Sequence, residues 1–321
     1  MTSFPSFSSL RCLLPLLLSW PIVAMGADPL QIAVIPKGTT HVFWKSVEAG
    51  ARKAGSELGV TVIWKGPLKE DDRAQQIGMV QQFVASKVSG IVLAPLDATA
   101  LTGPVKSAQQ ANIPVVIIDS ALRGEPGRDY VSLVATDNRR GGEMGGDELA
   151  RRLGGKGKVV LLRYAEGSAS TQEREEGFLA AIARHPGITV TVTNRYGGAT
   201  VSLAQDAAMN LIDRIREADG VFCPNESTTQ GMLLALRQNG LAGKKAFVGF
   251  DTSPFLLQAL RKGEIQGLVA QNPFQMGYQG VKTVVARLRG LPVEPRKDTG
   301  CALVTLESID LPDTKAIIGG L

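Results

Sequence analysis

Polar side chains with more than one hydrogen-bonding atom recur where short apolar runs end. Lys37 follows QIAVIP 31–36, Lys65 follows VTVIW 60–64, Asp119 closes IPVVIID 113–119 with Ser120 behind it, and Arg163 lies near the end of KVVLLRY 158–164. Asn225 closes GVFCPN 220–225, Asp251 closes KAFVGFD 245–251 and Gln271 closes GLVAQ 267–271. Carboxylates, amides and cationic groups of this kind can bind two neighbouring hydroxyls of a small polar molecule at once. A single polar residue at such a place is ordinarily a cap or turn residue. Recurrence across both halves of the chain points instead to one shared cleft.

The same survey finds no nucleophile set beside a base. GGEMGGDE 141–148 lacks the spacing of a dinucleotide-binding loop and reads as a close-packed helix face. KGK 156–158 has no hydroxyl after a Gly-Lys pair, and GSAS 167–170 lacks the glycine that would complete a nucleophile elbow. His41 and His185 stand far apart without zinc-ligand spacing. No enzyme activity, cofactor or metal is expected.

The elements that must position these groups alternate. Strand-like runs rich in β-branched residues are separated by helical periods over 41–58, 70–87 and 98–112, then 138–153, 171–185, 200–217, 226–239, 253–263 and 273–289. Nearly continuous apolar strands separated by helices predict an α/β protein with two successive doubly wound parallel sheets. In such sheets ligands collect beyond the carboxyl ends of the strands, where the polar residues stand.

Composition agrees with a folded chain. With 321 residues, 44% of them hydrophobic and 20% charged, it suits about two domains and excludes intrinsic disorder. A net charge of +5 spread along the chain gives no basic block for nucleic acid. Residues 1–27, with Arg11 ahead of an apolar run from Leu13 to Val23 and small residues at Ala24 and Gly26, read as an export leader cleaved near Gly26 or Ala27. No later stretch is long and apolar enough to span a membrane, so no membrane insertion of the mature chain is expected. Cys223 and Cys301 are left in an oxidising compartment, paired or free.

Several segments together resemble the periplasmic sugar-binding proteins of ABC transporters, of the ribose-binding type that shares its core with LacI-type repressors. They are IAVIPKGTTHVFWKSVEAGARKAG 32–55, ANIPVVIIDS 111–120, VATDNRRGG 134–142, EGSASTQEREEGF 166–178, VFCPNE 221–226, VGFDTSP 248–254 and VAQNPFQMGYQGV 269–281. The resemblance implies two Rossmann-like lobes joined by a three-segment hinge, 28–136 plus 272–300 and 137–271 plus 301–321, closing over a small sugar or polyol. Its partners would be an ABC permease and its ATPase, with a chemoreceptor or sensor kinase as the alternative and a monomer as the expected state. A repressor's DNA-binding headpiece would need some 50–60 residues ahead of the first strand, where only the leader stands.

Carried over by motif, Phe43 and Trp44 stack on the sugar ring, and Asp119, Asn225, Asp251 and Gln271 take its hydroxyls. Phe250 is added as a lining residue. His41 stands where ribose-type members carry asparagine, and Ser120 and Gln172 replace two pocket arginines. Arg174 matches a family arginine, and Tyr196 is the nearest candidate for a third ring. Lys37, Lys65, Arg163 and Arg174 leave an acidic sugar derivative open as ligand beside a neutral one.

Overall fold

Ile32 to Ile35, Ile91 to Leu93 and Val116 to Ile118 are wholly shielded from solvent, because each lies on an interior strand of a parallel sheet with helices on both faces. The structure is a computed structural model and describes residues 1–4 and 29–318. The expected leader, 1–27, lies outside the described residues apart from its first four.

The chain first forms β1 (Gln31–Ile35), α1 (Val42–Leu58), β2 (Thr61–Trp64), α2 (Arg73–Ala85), β3 (Gly90–Leu93), α3 (Thr102–Gln110), β4 (Val115–Ile118) and β5 (Ser132–Ala135). It then crosses to a second sheet through α4 (Asn138–Arg152), β6 (Lys156–Arg163), α5 (Ala169–Ile182), β7 (Gly187–Tyr196), α6 (Val201–Asn210) and α7 (Ile212–Glu217). β8 (Gly220–Phe222), α8 (Glu226–Gln238), β9 (Ala246–Phe250), α9 (Pro254–Arg261) and β10 (Gly267–Gln271) complete that run. α10 (Pro273–Leu288) and β11 (Arg296–Asp298) return to the first sheet, and β12 (Cys301–Val304) with α11 (Pro312–Ile318) goes back to the second.

The sheet orders are β11-β5-β4-β3-β1-β2 and β12-β10-β9-β8-β6-β7. β12 runs antiparallel to β10, while the other pairings are parallel. Each sheet carries an apolar cluster on both faces, one of them set by Ile32, Val34, Trp44 and Val284 and its counterpart by Phe178, Phe222 and Phe250.

One helix pair covers the inner strands of each sheet, and glycines let the backbones touch. A Cβ on Gly50 of α1 would stand 2.0 Å from Phe274 O of α10, and one on Gly277 would stand 2.0 Å from Val47 O. Across α4 and α5, a Cβ on Gly142 would meet Arg174 O at 1.9 Å and one on Gly177 would meet Arg139 O at 2.1 Å. The paired glycines of GGEMGGDE therefore serve close helix packing, as the sequence suggested.

The two-sheet α/β class agrees with the periodicity; three details differ. β5 is an additional strand whose apolar core, LVA, is too short to stand out until it pairs with β4. The helical period over 200–217 is broken at Leu211, whose φ of −103° and ψ of 7° separate α6 from α7. β11 is a polar edge strand, RKD, with no apolar run, and β12 is a half-buried edge strand whose run, CALV, is only four residues long.

Candidate functional site

The carboxyl ends of the two sheets face each other across a narrow cavity of about 30 Å³. Nine of the residues singled out from sequence line it: Lys37, His41, Phe43, Trp44, Asp119, Arg174, Asn225, Asp251 and Gln271. A wider groove over Ala121, Asp137, Glu173 and Arg296 flanks the chain crossings and gathers none of the strand-end groups singled out from sequence.

Asp119 directly follows β4 and Asp251 directly follows β9, so each sheet contributes one carboxylate from an equivalent place. Both have left-handed backbones, with φ of 63° and 70°. Aspartate tolerates this conformation at modest cost, and such strain persists where the surroundings hold it for a purpose. Asp251 Oδ2 accepts from Glu226 N at 2.7 Å and its Oδ1 accepts from Gln271 Nε2 at 2.7 Å. Burial raises its carboxyl pKa, while Arg174 and these two donors oppose the rise and Asp119 adds to it. Asp119 Oδ2 lies 2.8 Å from Lys37 Nζ but off the direction of a good hydrogen bond, so its charge is paired while its lone pairs stay open. Lys37 also donates to Ser170 Oγ at 3.1 Å, which ties the first sheet to α5.

Arg174, 2% exposed, is built into the floor. Its Nε donates to Asn138 Oδ1 at 2.9 Å, Nη1 to Pro224 O at 3.0 Å and Nη2 to Gln271 Oε1 at 2.7 Å. The guanidinium carbon lies 4.2 Å from the Phe250 ring centre. Phe250 therefore supports Arg174 from below rather than lining the cavity. Arg174→Met should leave three buried acceptors without this donor and cost about 3 kcal/mol of stability. Urea unfolding with unchanged midpoint would refute that role.

At the other wall, Phe43 and Trp44 meet edge to face, with ring centres 4.9 Å apart. Glu70, not singled out from sequence, organises this wall. Its Oε1 accepts from the Trp44 indole and lies 3.0 Å from His41 Nδ1, and its Oε2 accepts from the Tyr164 hydroxyl at 2.5 Å. Burial works to lower the His41 pKa, but Glu70, with Glu226 and Asp251 further off, carries it up to about 9. Burial likewise works to raise Glu70, yet His41, Lys37 and the Tyr164 hydrogen bond hold it at about 2. The two form an ion pair at neutral pH.

Glu226, Ser170, Thr171 and Tyr164 also line the cavity and were missed. Tyr164 follows Arg163 by one residue and Glu226 follows Asn225 by one, so the adjacent position carried the signal. Two expected ligand groups lie elsewhere. Ser120 Oγ accepts from Ser170 N at 3.1 Å, a bond between the halves. Gln172 is exposed and donates to Glu176 Oε1 at 3.0 Å, because the buried face of α5 runs through Ser170, Thr171 and Arg174. Tyr196 is 37% exposed and lies under Arg163, which pairs with Glu175; Tyr164 is the ring that reaches the cavity. Lys65 bonds Gln82 at the surface.

Cys223 and Cys301 are free thiols. Among the described residues no group of three His, Cys, Asp or Glu side chains is placed to hold a metal, and no helix is long and apolar enough to cross a membrane.

Comparison with known proteins accords with this arrangement. Residues 32–292 match the family described as periplasmic binding protein domain. The ribose import binding protein RbsB of Escherichia coli is 30% identical over 286 residues, covering 88% of this chain and 92% of that one. A carbohydrate transporter solute-binding protein from Agrobacterium radiobacter, solved with D-arabinose, superposes with a TM-score of 0.86 at 34% identity, covering 91% of this chain and 99% of its own. An ABC transporter solute-binding protein from Agrobacterium vitis with bound D-fucose also gives 0.86, at 35% identity and 90% and 99% coverage. With two mostly parallel sheets, a polar cavity at their facing strand ends and a family match over most of its length, the chain belongs to the periplasmic binding protein family.

Proposed function

We propose that this protein is the solute-binding component of an ABC importer and that it captures a neutral sugar or polyol between two lobes, 28–136 plus 272–300 and 137–271 plus 301–321. The observation that carries the ligand class is how the cavity's charges are spent. Lys37 is paired with Asp119, His41 with Glu70, and the Arg174 nitrogens are engaged by protein oxygens. The open lone pairs belong to carboxylates, which accept from hydroxyl groups. An acidic sugar would bring a further anion to a site with no free cation among the groups that line it. That argues against the acidic ligand.

In mechanism, Phe43 and Trp44 pack on the C–H face of the ring from one lobe, and Asp119 takes hydroxyls from the same side. Asn225 and Asp251 act from the other lobe, and Gln271, at a crossing, holds Asp251. A ligand touching both lobes shifts the open–closed equilibrium towards closure, and a membrane permease reads the closed shape. Export through the leader, with loss of residues up to Gly26 or Ala27, places the protein in the periplasm.

Isothermal calorimetry against D-ribose, D-allose, D-arabinose, D-fucose, D-tagatose and matched aldonates tests the reading. At least one neutral sugar should bind at micromolar Kd or tighter, with its aldonate at least about 30-fold weaker, the size of one uncompensated buried charge contact. No heat from any sugar, or an aldonate binding best, would sink it.

A further inference from the structure

The helix that carries the aromatic wall has no cap of its own. α1 runs 17 residues from Val42, yet the side chain of its N-cap residue, His41, makes no capping bond and its first turn holds no acidic residue. The first amides of a helix have no partner within it and need an acceptor from elsewhere. Here the acceptor comes from the opposite sheet. Glu226, the first residue of α8 and 5% exposed, places Oε1 3.4 Å from Val42 N and Oε2 3.3 Å from Phe43 N. Its own position is fixed from behind, since Glu226 N donates to Asp251 Oδ2 and Gln230 Nε2 lies 3.3 Å from its Oε1.

We propose that Glu226 is a positioning residue: it completes the N-terminus of α1 across the cleft, and so sets the Phe43–Trp44 wall against the ligand only when the lobes close. This rests on the sugar-binding reading above. A negative or partly negative oxygen at this place also meets the positive end of the α1 dipole. Glu70 makes the converse connection, reaching from the first half to the Tyr164 hydroxyl of the second. The two glutamates grip opposite halves on either side of the aromatic wall.

The groups facing Glu226 are His41 at the start of α1, Asp251 after β9 and Gln230 on its own helix, with Arg174 of α5 behind Asp251 and Glu70 behind His41. Burial, helped by Asp251, pushes the Glu226 carboxyl up to about 7, against the pull of His41 and the two amides. A carboxyl whose pKa is higher in the closed than in the open form takes up a proton on closing. Closure is therefore favoured at low pH and loses that advantage as pH rises through about 7. The protonated carboxyl still offers an acceptor oxygen to α1.

The test uses E226Q, which keeps an acceptor without charge, and E226A, which removes it, with the tightest-binding sugar of the five above. The wild-type protein should bind more weakly at pH 8 than at pH 6.5, by about threefold or more. E226Q should lose most of that slope and at pH 8 bind at least as tightly as wild type. E226A should bind about fivefold to tenfold more weakly at both pH values, the size of a lost N-cap. Sugar-induced change in Trp44 emission, read in a Trp64→Phe background, should shrink in E226A and survive in E226Q. E226A binding like wild type, or E226Q keeping the full slope, overturns the proposal. Should no sugar bind the wild-type protein, the transport reading fails on its own. The cap is then read by small-angle scattering at pH 8, where E226A must be wider than E226Q and equal radii overturn it.

Discussion

Asp251→Ala should abolish measurable sugar binding, with a loss of about 1,000-fold or more. The carboxylate holds Glu226 N and Gln271 Nε2 at 2.7 Å each, so its removal strips two buried donors of their partner and takes away the acceptor offered to ligand hydroxyls. Hydrogen bonds to charged groups are worth about 1.5–3 kcal/mol each, and a donor left buried without one costs a comparable amount. Two such bonds lost from ligand hydroxyls, about 4 kcal/mol together, reach the stated factor, since each 1.4 kcal/mol is tenfold in affinity, while the stranded donors cost stability. Asp119→Ala should behave likewise but also destabilise the protein, because it leaves the buried Lys37 ammonium without its anion. The double variant Asp119→Ala/Lys37→Met separates the two effects: it should regain thermal stability and still fail to bind. Calorimetry showing either single variant within tenfold of wild type would remove these carboxylates from the ligand's contacts.

The second large effect lies in the helix pairs. Gly142→Ala would push a methyl group to within 1.9 Å of the Arg174 carbonyl oxygen, and a backbone atom held in α5 cannot step aside as a side-chain tip could. Overpacking usually costs about 1–3 kcal/mol, and a backbone obstacle belongs at or above the top of that range. The helices must part, and α5 carries Arg174 with it, so affinity should fall together with stability. Gly78 in α2 is the control, because an added Cβ there meets nothing within 4 Å. Gly78→Ala should stabilise by about 0.5–1 kcal/mol through helix propensity alone. Urea midpoints for both variants, with unchanged slopes, decide the matter; equal shifts would mean that helix approach is not what the glycines of α4 provide.

The parts of this molecule that could be read from sequence were those where one residue type at one place has one physical use. Lys37, Asp119, Asn225, Asp251 and Gln271 stood out because a polar residue ending an apolar run must sit at a strand's carboxyl end. Glu70 did not, since it lies in the loop beyond β2 and acquires its role only from three partners, His41, Trp44 and Tyr164, two of them on α1 or its cap and one on the far sheet. Gln172 was drawn from motif position, whereas the phase of α5 turns it to solvent and leaves Ser170 and Thr171 on the inner face. Charge at strand ends was visible as well, but not its pairing. Lys65 and Arg163 proved to have local partners, so their presence says nothing of an anionic ligand.

The threading of the chain between the sheets also orders events in time. The first sheet receives its covering helix α10 and its edge strand β11 only after the whole run from α4 to β10 has been made. Val281, Val284 and Val285 of α10 fill the apolar cluster that Ile32, Val34 and Trp44 begin some 250 residues earlier. The N-terminal portion therefore cannot finish folding while it is being synthesised, and the half that begins first is completed late. Its early strands must wait, unburied, until nearly the entire polypeptide is available.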